Sequence, residues 1–480
     1  MKTSIYKKIF IAAGLATTIG LTGCSKEFLD EPKSTVFVGP DDVFSTDAGV
    51  RSNFNGIYRN LRTQWGTSTD AWGIASVSLA REVKGVDITL PDQNWYSFDY
   101  QHDNREPTYR RVSFTWNFFY QMLNSANTLI AGVEGSTTLS APSKAAFVAE
   151  AKAIRAWCNF ELVREFAHAY AENPAAPGIP LYTTPTNVNT VGNPRAKVSE
   201  VYDLMVSDLE AAVAGLGTAR QLKDVINKNV ANGLLARVYL EKGDYAKAKV
   251  AAAAARTGLN LSTNGSEYST PFNSIDKTEV MWGFPQSSDQ TIYYGTPSAF
   301  WGASGVGYFN FFVDSTFVNS FSLTDVRQKT FLRNGTVTDF KRWRSNKFGL
   351  TTTFTDHIPF MRVPEMLLIE AEAKAELGEA DAGDLLYTLQ KNRDPNAVKS
   401  GNTGAALITE ILTERRKELY GEIGVGFLDA KRKQLALVRG VGHPPTYRVN
   451  IPSNSNKFTL KIPQTEMDAN TSLKPTDQNP

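Results

Sequence analysis

The spacing of Leu235, Ala236, Tyr239, Gly243, Tyr245, Ala248, Ala252 and Ala255 constrains this chain of 480 residues more than any other feature. These positions match a tetratricopeptide repeat. The alanines let two antiparallel helices approach closely, and Gly243-Asp244 makes the turn between them. A looser copy surrounds Ala371, Ala375, Gly378 and Tyr387. One such pair cannot bury its own faces, so several must stack. The expected fold is therefore mostly α: a tetratricopeptide-like helical scaffold, interrupted by long irregular inserts with a few short strands.

Apolar stripes place the other helices. Trp116, Phe119, Leu123 and Leu129 mark a helix over 108–133. Phe147, Ala151, Ile154, Cys158, Leu162 and Phe166 mark another over 144–168, at steps of three or four. Further helices are expected at 47–62, 198–214, 227–257, 364–378, 382–393 and 405–420. Two stretches break the pattern. Residues 64–107 are rich in Gly, Asp, Asn and aromatics and read as irregular. Residues 258–360 are rich in Gly, Ser, Thr and aromatics, with short strands at most.

The first residues have a different logic. Lys2, Lys7 and Lys8 precede an apolar run from Ile9 to Leu21, and then comes Leu21-Thr22-Gly23-Cys24. This is the layout of a secretory signal. The run is too short to span a bilayer, which needs about 20 residues. Its Leu-x-Gly-Cys ending resembles the lipobox of bacterial lipoproteins, which makes Cys24 the expected lipidation site. Residues 1–23 would be the signal peptide and 24–45 a polar, proline-containing tether. Several acyl chains give lasting membrane attachment where one does not.

Charge and motifs exclude several functions. With 51 basic and 49 acidic residues, no basic stripe suggests nucleic acid. The two cysteines, one of them the lipidation candidate, cannot build a zinc site alone. None of the four histidines has H-E-x-x-H spacing. No G-x-S-x-G elbow is present. A glycosidase needs only two carboxylates about 5–10 Å apart, and the 49 acidic residues keep that reading as an alternative. The glutamates at 370, 372 and 376 and the run ERRKE at 414–418 read better as a salt-bridged helical face.

Blocks along the chain resemble the SusD/RagB family of outer-membrane glycan-binding lipoproteins. They include CSKEFLDEPKS (24–34), EAKAIRAWCNFELVREFA (150–167), GIPLYTTP (178–185), VYDLMVSDLEAA (201–212) and NKNVANGLLARVYLEKGDYAKA (227–248). Later ones are IPFMRVPEMLLIEAEAKAELG (358–378), ERRKELYGE (414–422), FLDAKR (427–432) and LKIPQTEMDAN (460–470). Their order and spacing carry the resemblance; KNRDPNA at 391–397 departs from the usual family pattern. The resemblance implies a SusD-like fold with four tetratricopeptide-like units. It divides the body into an N-terminal region, 46–225, and a C-terminal SusD/RagB region, 226–480. It also implies a surface lipoprotein of the outer membrane that binds oligo- or polysaccharide. Such a protein hands its glycan to a TonB-dependent, SusC-like transporter and performs no chemistry on it. No cofactor or metal is implied, and a structural calcium is left open.

Sugars stack their C–H faces on aromatic rings and extend hydroxyls to nearby acids, amides and guanidinium groups. Two irregular segments offer both, and family ligand contacts cluster in equivalent segments. The first gives Trp72, Arg81, Asp87, Asn94, Trp95 and Tyr96 as candidate ligand contacts. The second gives Trp282, Tyr293, Tyr294 and Trp301. Trp116, Trp157 and Trp343 read as core. The competing expectations are a peptide- or protein-binding repeat lipoprotein and, more remotely, a glycoside hydrolase.

Overall fold

The computed structural model describes residues 43–66, 68–220, 222–302 and 307–480. The signal segment, Cys24 and the tether through residue 42 lie outside the described residues.

Helix α1 (Asp47–Asn60) is capped by Thr46, and α2 (Gly73–Lys84) follows. The scaffold proper begins with two long helices, α3 (Arg110–Gly135) and α4 (Ala141–Phe166). Ser140 starts α4, its hydroxyl accepting from the Ser143 N–H at 3.2 Å. Then come α5 (Val198–Gly215), α6 (Lys228–Lys242) and α7 (Tyr245–Ala255). After the large insert the chain returns as α8 (Val363–Glu376), α9 (Ala382–Arg393), α10 (Gly404–Leu419) and α11 (Val425–Arg432). Each of α3 to α7 packs on the next, α7 packs on α8, and α8 packs on α9 and α10. The result is one continuous stack.

The α6–α7 unit shows why this sequence makes a close pair. The Asn227 side chain accepts from the Val230 N–H at 3.1 Å and starts α6. Gly243 ends it in the left-handed region, φ 76°, which a residue without Cβ adopts freely. The Asp244 carboxylate then caps α7 by accepting from the Lys247 N–H. Ala236, Ala248, Ala252 and Ala255 are fully buried at the contact.

Six short strands lie in the inserts or at their edge, while two small antiparallel ribbons, Pro177–Pro180 with Arg195–Lys197 and Leu437–Val438 with Asn450–Ile451, lie outside them. β1 (Ile88–Thr89), β3 (Phe312–Val313), β5 (Trp343–Ser345) and β4 (Phe331–Arg333) form an antiparallel sheet in that order. β2 (Val280–Phe284) pairs antiparallel with β6 (Ile358–Arg362). Beneath the inserts lies a second, aromatic core that includes Tyr96, Phe300, Trp301, Phe311, Phe317 and Tyr420.

One expected irregular stretch is corrected. Within 64–107 the chain forms α2, and every residue of that helix is buried. A helix packed on all sides has no polar face, so it shows no stripe to read.

Buried charge ties the insert to the stack. Glu418 at the end of α10 accepts from Arg362 at 2.8 Å, Arg393 at 2.9 Å and Arg327 at 3.1 Å. Glu279 meets Arg393 at 2.7 Å, and Glu422 meets both Arg362 and Lys347 at 2.6 Å. The ERRKE run is thus salt-bridged, but Glu414, Arg415 and Glu418 are buried rather than on an outer face. Arg393, inside the departing segment 391–397, is one of the central cations of this network.

Candidate functional site

The turn 291–295 is built to present rings. Gly295 has no room for a side chain: a Cβ there would lie 2.2 Å from the Trp72 indole. The turn therefore rests on Trp72, and Tyr293 and Tyr294 project outward, with Tyr293 56% exposed. Arg62 holds the preceding loop by bonding the Pro285 carbonyl and, at 2.6 Å, the Gln290 side chain. The Thr291 hydroxyl donates to the Phe354 carbonyl, which joins this turn to the loop 351–356.

Four rings gather here. Tyr294 meets Phe354 with centroids 4.9 Å apart and Tyr308 at 5.6 Å, and Tyr293 meets Phe354 at 6.1 Å. Tyr308 leans on buried Phe300 at 5.1 Å, and Phe300 on buried Tyr96 at 5.2 Å. The array is an aromatic shelf on an aromatic foundation. Its backbone is unusual. Tyr293, Phe309 and Phe354 have φ of 46°, 45° and 55°. Bulky residues rarely occupy this region. Each such residue costs on the order of 1–3 kcal/mol, which the surroundings must supply. Below the shelf, the buried Trp72 indole N–H, both amide atoms of Gln286 and the Thr296 hydroxyl have no hydrogen-bond partner among the described residues.

A second exposed aromatic group lies on the turn 92–98. The Asn94 side chain accepts from the Tyr96 N–H at 2.8 Å, and the Asn94 N–H donates to the Ser97 hydroxyl at 2.7 Å. This tight turn sends Trp95 outward, 44% exposed, and Tyr96 inward, with Phe98 also exposed. Asp92 pairs with Lys341 at 2.7 Å on the same surface.

The candidate contacts therefore divide. Asn94, Trp95, Tyr293 and Tyr294 lie on accessible turns. Six others need correction. Tyr96 is fully buried, and its hydroxyl bonds that of Ser76. Trp72 is the support under Gly295. Arg81 is buried against Glu161 and Glu165, where a sugar hydroxyl would have to displace two carboxylates. Trp282 donates to the Asp224 carbonyl and packs among Trp157, Phe284 and Phe360. Trp301 is fully buried between Phe311 and Tyr420. Asp87 is paired with Arg416 in a separate cavity of about 340 Å³, beside Asp314 and His443. Sequence reasoning missed Tyr308, Phe354 and Phe98. The available signal was a lone ring amid Gly or Thr, as in the segment 351–355, where no period assigns it to a core. Among the described residues, no group of three or more His, Cys, Asp or Glu gathers to hold a metal ion. Nor is any described helix long and apolar enough to cross a membrane.

A stacked helical scaffold presenting rings from irregular inserts defines a class of binding protein. Comparison with known proteins gives the family. Residues 71–240 match a SusD-like family described as starch-binding and associating with the outer membrane, and residues 314–480 match the SusD family. The chain belongs to the SusD/RagB family. SusD-like protein P38 of Formosa agariphila is 22% identical, over 87% of this chain and 90% of its own. SusD-like protein P25 of the same organism is 24% identical over 42% of this chain, a match that spans 36% of P25. Among solved structures, a SusD-like carbohydrate-binding protein from Bacteroides vulgatus aligns with a TM-score of 0.82 at 24% identity, over 91% of this chain and 98% of that one. A laminarin-binding SusD-like protein aligns at 0.70 with 20% identity, over 90% and 99%. These likenesses fix the mostly helical SusD-like fold.

Proposed function

We propose that this protein binds oligo- or polysaccharide on the aromatic shelf and passes it unchanged to a TonB-dependent, SusC-like transporter. It does so from the outer face of the outer membrane, held there by acyl chains on Cys24. The observation that supports the reading best is the shelf itself. Tyr293, Tyr294 and Tyr308 stay exposed around Phe354, although the backbone is strained at Tyr293, Phe309 and Phe354. Exposed rings normally cost burial energy, so a fixed exposed cluster marks a binding surface. Trp95, with Asn94 and Asp92 beside it, adds a ring and polar groups. A laminarin-binding neighbour makes laminarin the first ligand to test.

The test is calorimetric titration with laminarin and a panel of other glycans, combined with melting curves. Tyr294→Ala removes a stacking surface and should weaken binding at least tenfold with unchanged melting, a loss of about 1.4 kcal/mol. Trp301→Ala should instead lower stability by about 3–5 kcal/mol, because it opens a cavity in the aromatic core. Normal binding by Tyr294→Ala would remove the shelf from the site. Shortened glycan after prolonged incubation with pure protein would replace this reading by a hydrolase.

A further inference from the structure

We infer a second carbohydrate subsite on the helical scaffold, in the cleft between α3, the loop 181–192 and the segment 466–470. The cleft holds about 440 Å³, within the range of roughly 300–1,000 Å³ found for small-molecule sites. Tyr120 and Tyr182, both partly exposed, line its wall, and Trp116, a core ring only 3% exposed, closes its floor. Trp116 and Tyr120 lie with centroids 4.7 Å apart, and Tyr182 stands nearly perpendicular to Tyr120 at 5.9 Å. These rings are fixed from behind. The Tyr120 hydroxyl donates to the Pro180 carbonyl at 2.7 Å, and the Tyr182 hydroxyl accepts from the Asn193 N–H at 3.1 Å. Trp116 also packs edge-on against Phe166 at 4.9 Å.

Polar groups around these rings are left uncommitted. Asn117 and Gln121 stand one turn apart on the exposed side of α3, and neither side chain has a hydrogen-bond partner among the described residues. Glu466 uses one carboxylate oxygen to accept from the Asn470 amide at 2.9 Å. The fixed, partly exposed Tyr120 and Tyr182 rings, flanked by free amides and a carboxylate oxygen, match a pyranose, whose C–H face stacks while its hydroxyls both donate and accept. An anionic ligand would meet Glu466, and an apolar chain would strand the amides without partners. The inference takes its ligand class from the glycan reading, but it shares no residue with the shelf.

The test labels the protein with 5-fluorotryptophan and follows fluorine resonances during separate titrations with laminarihexaose, maltohexaose and xylohexaose. Trp116→Phe assigns the Trp116 signal. That signal should shift with at least one sugar, in the parent and equally in Tyr294→Ala. In the Asn117→Ala/Gln121→Ala double variant it should need at least tenfold more sugar. Both substitutions fall on an exposed helix face, where Ala favours the helix. Sugar binding by calorimetry with an unmoved Trp116 signal overturns the second subsite and leaves the shelf standing. An unchanged response in the double variant also overturns it. Absence of both binding and shift with every sugar overturns the shelf reading as well.

Discussion

Glu82 lies on the buried helix α2 and accepts from the Gly424 N–H at 2.6 Å. Burial pushes its carboxyl up to about 7, against the opposing pull of the Gly424 and Gly421 N–H groups and Lys347. A carboxyl raised in the folded state is favoured protonated. The stability it contributes is complete below its ordinary value, near 4.5, and is lost as pH rises through 7. Glu82→Gln keeps an acceptor for Gly424 and removes the titration. Its melting temperature relative to the parent should therefore rise between pH 5 and pH 8. An equal offset at both values would mean that Glu82 is ionised throughout. The same logic of forced neighbours governs Trp95 and Tyr96. Two adjacent rings on one tight turn cannot both enter the core, and here Asn94 decides which one does.

Among the elements, α6 and α7 depend most on small side chains. Ala248→Leu would push a branched side chain into a fully buried contact and should cost about 1–3 kcal/mol in denaturant unfolding. A parent-like midpoint would count against the close-packed pair. This unit was legible from sequence because its alanine spacing, its left-handed Gly243 and its caps all act locally. The long stripes of α3 and α4 were legible for the same reason. Helix α2 was not, because the feature that defines it is contact on every side. The candidate site was only half legible. Composition pointed to the irregular segments that carry the exposed rings, yet which ring faces out depends on distant partners. Trp72 is buried because Gly295 sits on it, and Trp301 because Tyr420 arrives from the end of α10. Phe354 joins the shelf through a bond from Thr291, far away in sequence.

Across the whole molecule, paired buried charge sets the response to acid. Burial alone would raise Glu161 and Glu165. Arg164 and Arg81 hold the first at about 2, and Arg81 and Lys84 hold the second at about 2. Burial likewise opposes the ionised Glu418, but Arg393, Arg362 and Arg327 keep it well below the usual range. Carboxyls lowered in this way contribute stability above about pH 4.5 and lose it as pH falls toward 2. Urea midpoints should therefore drop steeply between pH 4.5 and 2. Glu418→Gln should cost on the order of 3–5 kcal/mol at neutral pH, because it leaves buried guanidinium groups short of a counter-charge. A cost below 1 kcal/mol would show that Glu279 and Glu422 neutralise the arginines alone. The left-handed backbone at Tyr293, Phe309 and Phe354 has a consequence in time rather than in energy. Rings already locked in place need no rearrangement before a ligand lands. Stopped-flow capture of glycan should be a single exponential whose rate climbs linearly with sugar concentration and never levels off, so each encounter is decided at first touch.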